Sequence, residues 1–73
     1  MQPIVRAAQR AKIVVDLDLL LVVNGRGRVA MVKLSSSTGN PSLDREILAW
    51  GRRLRVRTDQ LLMARLPIRI GVQ

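Results

Sequence analysis

The sequence predicts an α+β fold in two layers, with a three-stranded antiparallel sheet and two helices on one face of it. Apolar residues recur with helical spacing in two segments and alternate along three others, in the order helix, strand, strand, helix, strand. The chain has 73 residues, which suits one domain and not two. We therefore predict that residues 1–73 form a single domain whose three strands are arranged as a meander.

The first helix is predicted from Pro3 to Lys12, where small apolar residues recur every three or four positions. Pro3 suits the first turn, because its missing N–H would have no partner there in any case. A helix this short has little stability of its own, so it is expected to pack through its apolar face. That face consists of Ile4, Ala7, Ala8 and Ala11.

A β-hairpin is predicted over residues 14–35, with its turn at residues 24–27, where an Asn and two glycines favour the positive φ of a tight turn. Val29 breaks the alternation of the return strand, which indicates a bulge near Ala30 or Met31. The positions expected to face the core are Val15, Leu17, Leu19, Leu21 and Val23, followed by Val32 and Leu34.

Asn40 and Pro41 predict the start of the second helix, because Asn caps free N–H groups and Pro fits the first helical position. Residues 58–63 are ambiguous between helix, strand and loop. In residues 65–72 apolar and polar positions alternate, which predicts a third strand. Pro67 has no N–H to donate to a ladder, so this strand is predicted at a sheet edge. The helix stripe is Leu43, Ile47, Trp50 or Gly51, and Leu54; the apolar side of the strand is Leu66, Ile68, Ile70 and Val72.

The composition excludes several kinds of chemistry. Without Cys or His, the chain has no disulfide, no thiolate metal site and no imidazole base. Asp16 and Asp18 alternate on one strand face, and we interpret them as a solvated face rather than a metal or acid–base pair. Residues 13–23 form the most apolar stretch, but they are too few to span a membrane and do not form a signal peptide. We predict a module that is not an enzyme and needs no cofactor.

The charge is strongly positive, with 13 Lys and Arg against 5 Asp and Glu and a net charge of +8. Part of it lies on or just after the second helix, in Arg45, Arg52, Arg53, Arg55 and Arg57. These arginines fit a solvated face that complements the negative end of the helix dipole, or a surface for an acidic protein, an anionic membrane or nucleic acid. Trp50 is the only aromatic residue and is expected in the core, whereas proteins that bind single strands stack bases on aromatics.

The predicted edge strand is a second candidate binding feature, because a free strand edge can pair with an added strand. Arg65 and Arg69 lie on the polar side of this strand. They would either steer an acidic peptide or discourage aggregation, and the sequence leaves both open.

Several short motifs follow one another along nearly the whole chain: Gln2-Pro3, Arg6-Ala7-Ala8-Gln9-Arg10, Gly27-Arg28-Val29, Ser36-Ser37-Thr38-Gly39-Asn40-Pro41, Leu43-Asp44-Arg45, Arg52-Arg53 and Pro67-Ile68-Arg69-Ile70. In order and spacing they resemble the C-terminal domain of the TonB family of periplasmic energy transducers. The stretch from Gly-Arg-Val to Leu-Asp-Arg, together with the later Arg-Arg, carries most of this resemblance.

The resemblance implies a non-enzymatic domain that binds the TonB box of an outer-membrane transporter as a strand added to its last strand. Such a domain transmits energy from the ExbB and ExbD complex, which it would reach through an N-terminal region absent from this chain. It would be periplasmic, anchored to the inner membrane by that segment, and able to form a homodimer. The implied contact residues are Gln2, Pro3, Arg65, Leu66, Ile68, Arg69, Ile70 and Val72. The alternatives are a basic nucleic-acid-binding module and a TonB-like assembly domain of a secretion or regulatory system.

Overall fold

A computed structural model describes residues 2–71, and within them the predicted α+β class and element order are confirmed. Two helices pack on one face of a three-stranded antiparallel sheet. The elements in chain order are α1 (Gln2–Ala11), β1 (Val15–Val23), β2 (Val29–Leu34), α2 (Pro41–Arg52) and β3 (Leu62–Ile70).

The strand order is β2-β1-β3, so the predicted meander is wrong and β1 is the central strand. All nine residues of β1 pair antiparallel with β3, from Val15 opposite Ile70 to Val23 opposite Leu62. The lengths explain the order: β1 and β3 have nine residues each, whereas β2 has six. A meander would place the short strand in the centre and leave part of each long strand without a partner.

The core forms where the inner face of the sheet meets the two helices, as the alternation predicted. Gly51 of α2 is also buried, and a Cβ built there would lie 2.8 Å from Leu19 Cδ2, so this glycine lets α2 approach the sheet closely. Trp50 packs against the core and is half-buried. The buried apolar residues are Ile4, Ala8, Val15, Leu17, Leu19, Leu21, Val23, Leu43, Ile47, Ile68 and Ile70.

The hairpin turn is fastened to the connection between α2 and β3. Gly27 has φ 79°, and its carbonyl accepts a hydrogen bond from Val56 N–H at 2.8 Å. A Cβ at Gly27 would lie 2.0 Å from Val56 O, so only glycine allows the two segments to touch. The register shift between Val22 and Val23 leaves Ala30 without a partner, which confirms the predicted bulge.

The start of α2 and the end of α1 are capped by local hydrogen bonds. Asn40 Oδ1 accepts from Ser42 N–H at 3.0 Å and from Leu43 N–H at 3.2 Å, as expected of an N-cap. α1 ends at Ala11, the next residue Lys12 has φ 57°, and Ile13 N–H donates to the carbonyl of Ala8 at 3.0 Å. This is a Schellman-type end with lysine in the position that glycine usually occupies.

The loop between β2 and α2 is organised around Asp44. Its carboxylate accepts hydrogen bonds from Thr38 N–H at 2.8 Å, from Thr38 Oγ1 at 2.6 Å and from the Ser37 hydroxyl. Burial raises the pKa of Asp44, but these hydrogen bonds outweigh it and hold the pKa below its usual value. The ionised carboxylate therefore stabilises the entry into α2, where it also complements the helix dipole.

Candidate strand-docking edge and interhelical groove

β3 lies at an edge of the sheet, as Pro67 predicted. Asp18 N–H donates to Ser35 Oγ and Asp18 C=O accepts from Ser35 N–H, both at 2.9 Å, so the backbone groups of Asp18 point away from β3. Pro67 is opposite Asp18 and therefore belongs to a pair without hydrogen bonds. The N–H that Pro67 lacks would have pointed to the free edge, where its absence breaks no bond of the sheet.

The same alternation identifies which backbone groups of β3 are available to a partner. Residues whose carbonyls and N–H groups point outward alternate with residues bonded to β1. Met63, Arg65 and Arg69 therefore present both a donor and an acceptor at the free edge, and Pro67 presents its carbonyl only. An added strand can pair with all four residues and loses one hydrogen bond at the proline.

The predicted contact residues divide into two groups on β3. Arg65 and Arg69 present their backbone groups to the free edge, whereas Leu66, Ile68 and Ile70 bond to β1 and direct their side chains inward. Ile68 is 1% exposed and Ile70 is 7% exposed, so neither side chain is open to a partner. The other predicted contact residue of this strand, Val72, lies outside the described residues.

Two cross-strand ion pairs lie at one end of the outer face of the sheet, which is the face away from the helices. Arg69 Nη1 lies 2.6 Å from Asp16 Oδ1, and Arg65 Nε lies 3.6 Å from Asp18 Oδ2. The aspartates predicted as a solvated face are thus the partners of Arg65 and Arg69, for which the sequence left open whether they steer an acidic peptide or discourage aggregation. Sequence alone could not show this, because the pairing depends on the register of β3 against β1.

Methionines form an apolar row at the other end of the outer face, a feature that was not predicted from the sequence. Met31 of β2 and Met63 of β3 are paired with Val22 of β1 from its two sides. Met63 is 80% exposed and Met31 is 64% exposed. Met63 lies in the segment 58–63, to which the sequence assigned neither helix nor strand. Its alternation with Arg65 could have indicated that it continues the outer face of the strand. Met63 places soft apolar surface beside the free backbone groups of β3, and Met31 extends this surface across β1 to β2.

Gln2 and Pro3 begin α1 and face the second helix. They line a groove of about 870 Å³ between α1 and α2, together with Trp50 and three arginines. No β3 residue is among the described residues that line it. The structure therefore does not bring Gln2 and Pro3 together with the other predicted contact residues. The lining also includes Ile4, Arg6, Ala7, Arg10, Glu46, Ala49, Arg53 and Leu54.

Over residues 2–71, no three acidic, histidine or cysteine side chains lie close enough to hold a metal ion. In the same range, no helix is long and apolar enough to cross a membrane. No model of a known protein family matches the chain, and neither does any curated protein or solved structure. Function is therefore inferred from the β3 edge and the interhelical groove.

Proposed function

We propose that this protein is a non-enzymatic binding module that takes a segment of a partner protein as a fourth strand on β3. More specifically, we propose a TonB-like domain whose partner segment is the TonB box of an outer-membrane transporter. The observation that carries the proposal is the free edge of β3, with outward backbone groups at Met63, Arg65, Pro67 and Arg69. Strand addition needs such an edge, and main-chain hydrogen bonds supply its affinity.

β3 is a better template for an added strand than β2, the other edge of the sheet. β3 pairs over nine residues with β1 in unbroken register, whereas β2 has six residues and a bulge at Ala30. A bulge bends and twists a strand and so discourages pairing along it. The backbone just before β2 also has a neighbour already, because Arg28 forms an isolated antiparallel β-bridge with Arg55. We therefore expect the partner at β3, with a paired segment of about five to seven residues.

The TonB-like part of the proposal is supported by the ordered motifs of the sequence and by the position of the last strand at an edge. On this proposal the domain works in the periplasm, makes and breaks no bond, and passes force from ExbB and ExbD to the transporter through the added strand. A homodimer would use the same β3 edge and would compete with the peptide. A secretion or regulatory assembly domain would share the fold and the edge but have another partner.

The proposal is tested by titrating a TonB-box peptide into the isotope-labelled protein and following backbone amide shifts. The amides of Met63, Arg65 and Arg69 should respond most, because their N–H groups point to the free edge. Amides that bond to β1, such as that of Ile68, should respond less. If the largest shifts map to β2 or to the helices, the proposed site is wrong.

Proline substitution at one position separates binding from folding. Arg65→Pro removes an outward N–H and no bond of the sheet, so peptide affinity should fall about tenfold or more while the fold persists. Arg65→Ala is the matched control: it removes the ion pair with Asp18 and keeps the N–H, so affinity should change by less than about threefold. Equal binding by both variants would contradict strand addition at β3.

The nucleic-acid alternative is tested with random oligonucleotides at two salt concentrations. Binding to phosphates through arginines should weaken steeply as salt rises. Tight, salt-sensitive binding of oligonucleotides, combined with no response to the peptide, would replace the strand-addition proposal.

A further inference from the structure

The groove between α1 and α2 has an apolar floor that contains the only aromatic residue of the chain. Trp50 is half-buried and lies in this groove beside small and aliphatic side chains. The apolar lining residues are Pro3, Ile4, Ala7, Ala49, Trp50 and Leu54. Ala7 and Ala49 have small side chains, and a ligand side chain bound in this groove would lie close to the tryptophan.

The charges around the groove are predominantly positive. Arg6, Arg10 and Arg53 line it, against a single acid, Glu46. Within the described part of the chain, the two ion pairs are Asp16–Arg69 and Asp18–Arg65 on the outer face of the sheet, so none of the three groove arginines belongs to one. Arg53 Nε donates to the carbonyl of Ala49 at 3.2 Å, which leaves its terminal nitrogens available.

We propose that this groove binds an acidic peptide segment that carries one apolar anchor side chain. The anchor would lie over Trp50, and carboxylates of the segment would pair with Arg6, Arg10 and Arg53. Arginine is well suited to this role, because its planar guanidinium binds a carboxylate through two hydrogen bonds. The site is separate from the β3 edge, so this inference goes beyond the proposed function and does not depend on it.

The shape and charge of the groove favour a peptide over other occupants. A membrane presents a broad surface, whereas the apolar part of this site is recessed between two helices. Single-stranded nucleic acid stacks successive bases on several aromatic side chains, and this chain has one. A second copy of the chain carries a net charge of +8 and would be repelled by a basic groove.

Trp50 provides the measurement, since the chain has no other tryptophan. The probe is a twelve-residue peptide of glutamate and leucine with the leucines at helical spacing. It should change the Trp50 emission saturably. A peptide with glutamine in place of glutamate, and one with serine in place of leucine, should each bind at least about fivefold more weakly. Binding of the probe without a change in Trp50 emission would overturn the proposal.

Arginine variants locate the contact. Arg10→Gln and Arg53→Gln should each weaken the probe about three- to fivefold, as expected of partly solvated ion pairs. Arg45→Gln is the matched control, because Arg45 is an exposed arginine of α2 that does not line the groove. An equal loss in all three variants would mean non-specific attraction and would contradict the site.

Other occupants are distinguished by the same signal. If a single-stranded oligonucleotide or vesicles of phosphatidylglycerol change the Trp50 emission at lower concentration than the probe, the acidic-peptide proposal is wrong. A second copy of the chain would be the occupant if the Trp50 emission of the protein alone changes with protein concentration and Arg53→Gln abolishes that change. This result would also contradict the acidic-peptide proposal. A TonB-box peptide that fails to bind β3 leaves the groove result unaffected.

Discussion

The two edge strands of the sheet, β2 and β3, differ in their length, their regularity and their contacts with the rest of the chain. On the β2 side, the turn before the strand is hydrogen-bonded to Val56, Arg28 forms a bridge with Arg55, and Ala30 interrupts the ladder. On the β3 side, nine residues run in unbroken register, and their outward groups have no strand beside them within residues 2–71. On the β2 side the α2–β3 connection therefore contacts the segment just before β2, and β2 itself is short and irregular, whereas the β3 edge is long and regular, which is why we place the partner on β3.

The largest effect on stability is expected where the turn before β2 is hydrogen-bonded to Val56. Gly27→Ala puts a Cβ 2.0 Å from Val56 O at a φ of 79°, so the turn and the α2–β3 connection must separate. We expect the free energy of unfolding to fall by about 3 kcal/mol, measured by urea denaturation.

Gly39→Ala is the control for this prediction. Gly39 also has a positive φ of 89°, but nothing lies within 4 Å of a Cβ built there, so its substitution should cost only about 1 kcal/mol. Equal losses for the two variants would show that the contact between Gly27 and Val56 contributes nothing beyond backbone strain.

An intermediate effect is expected in the loop that leaves β2. Asp44→Ala removes the hydrogen bonds from Ser37 and Thr38 and should cost about 1 kcal/mol at neutral pH. Because the folded-state pKa of Asp44 is lowered, this contribution is present above the unfolded-state pKa and is lost as pH falls through the folded-state pKa. The stability difference between wild type and Asp44→Ala should therefore shrink below about pH 4.

The measurement for Asp44 is the free energy of unfolding of both proteins from pH 7 down to pH 2. Asp59→Ala serves as the reference for an exposed aspartate, since Asp59 accepts no side-chain hydrogen bond within the described residues. A difference between wild type and Asp44→Ala that stays constant with pH would contradict the assigned role of the charge.

The order of the elements and the open edge were predictable, because each depends on a local pattern, although β3 begins at Leu62, in the segment 58–63 that the sequence left unassigned. Alternation identified the inner face of β1, the missing N–H of Pro67 indicated an edge, and Asn40 gave the start of α2. The strand order was not predictable in this way, since the position of β3 depends on which neighbour matches its length.

The candidate sites were predictable only in part, because they combine residues that are distant in sequence. Arg65 and Arg69 were found as residues of the edge strand, but their pairing with Asp18 and Asp16 required the register between two strands. Similarly, Trp50 was expected in the core, whereas its place in a groove depends on how α1 packs against α2.

The smallest effect is expected on the open β3 side. The Asp16–Arg69 pair is solvent-exposed, with 63% of the Arg69 side chain and 70% of the Asp16 side chain accessible, so it is screened by water and salt. A double-mutant cycle with Asp16→Ala and Arg69→Ala should give a coupling energy of about 0.5 kcal/mol that decreases in 1 M salt. A coupling energy above about 2 kcal/mol would contradict this prediction, because the Asp16–Arg69 pair would then stabilise the fold nearly as much as the contact between Gly27 and Val56. The weak coupling expected here fits an edge whose fold depends on buried residues and the β1 ladder, which leaves its outer side free to exchange partners.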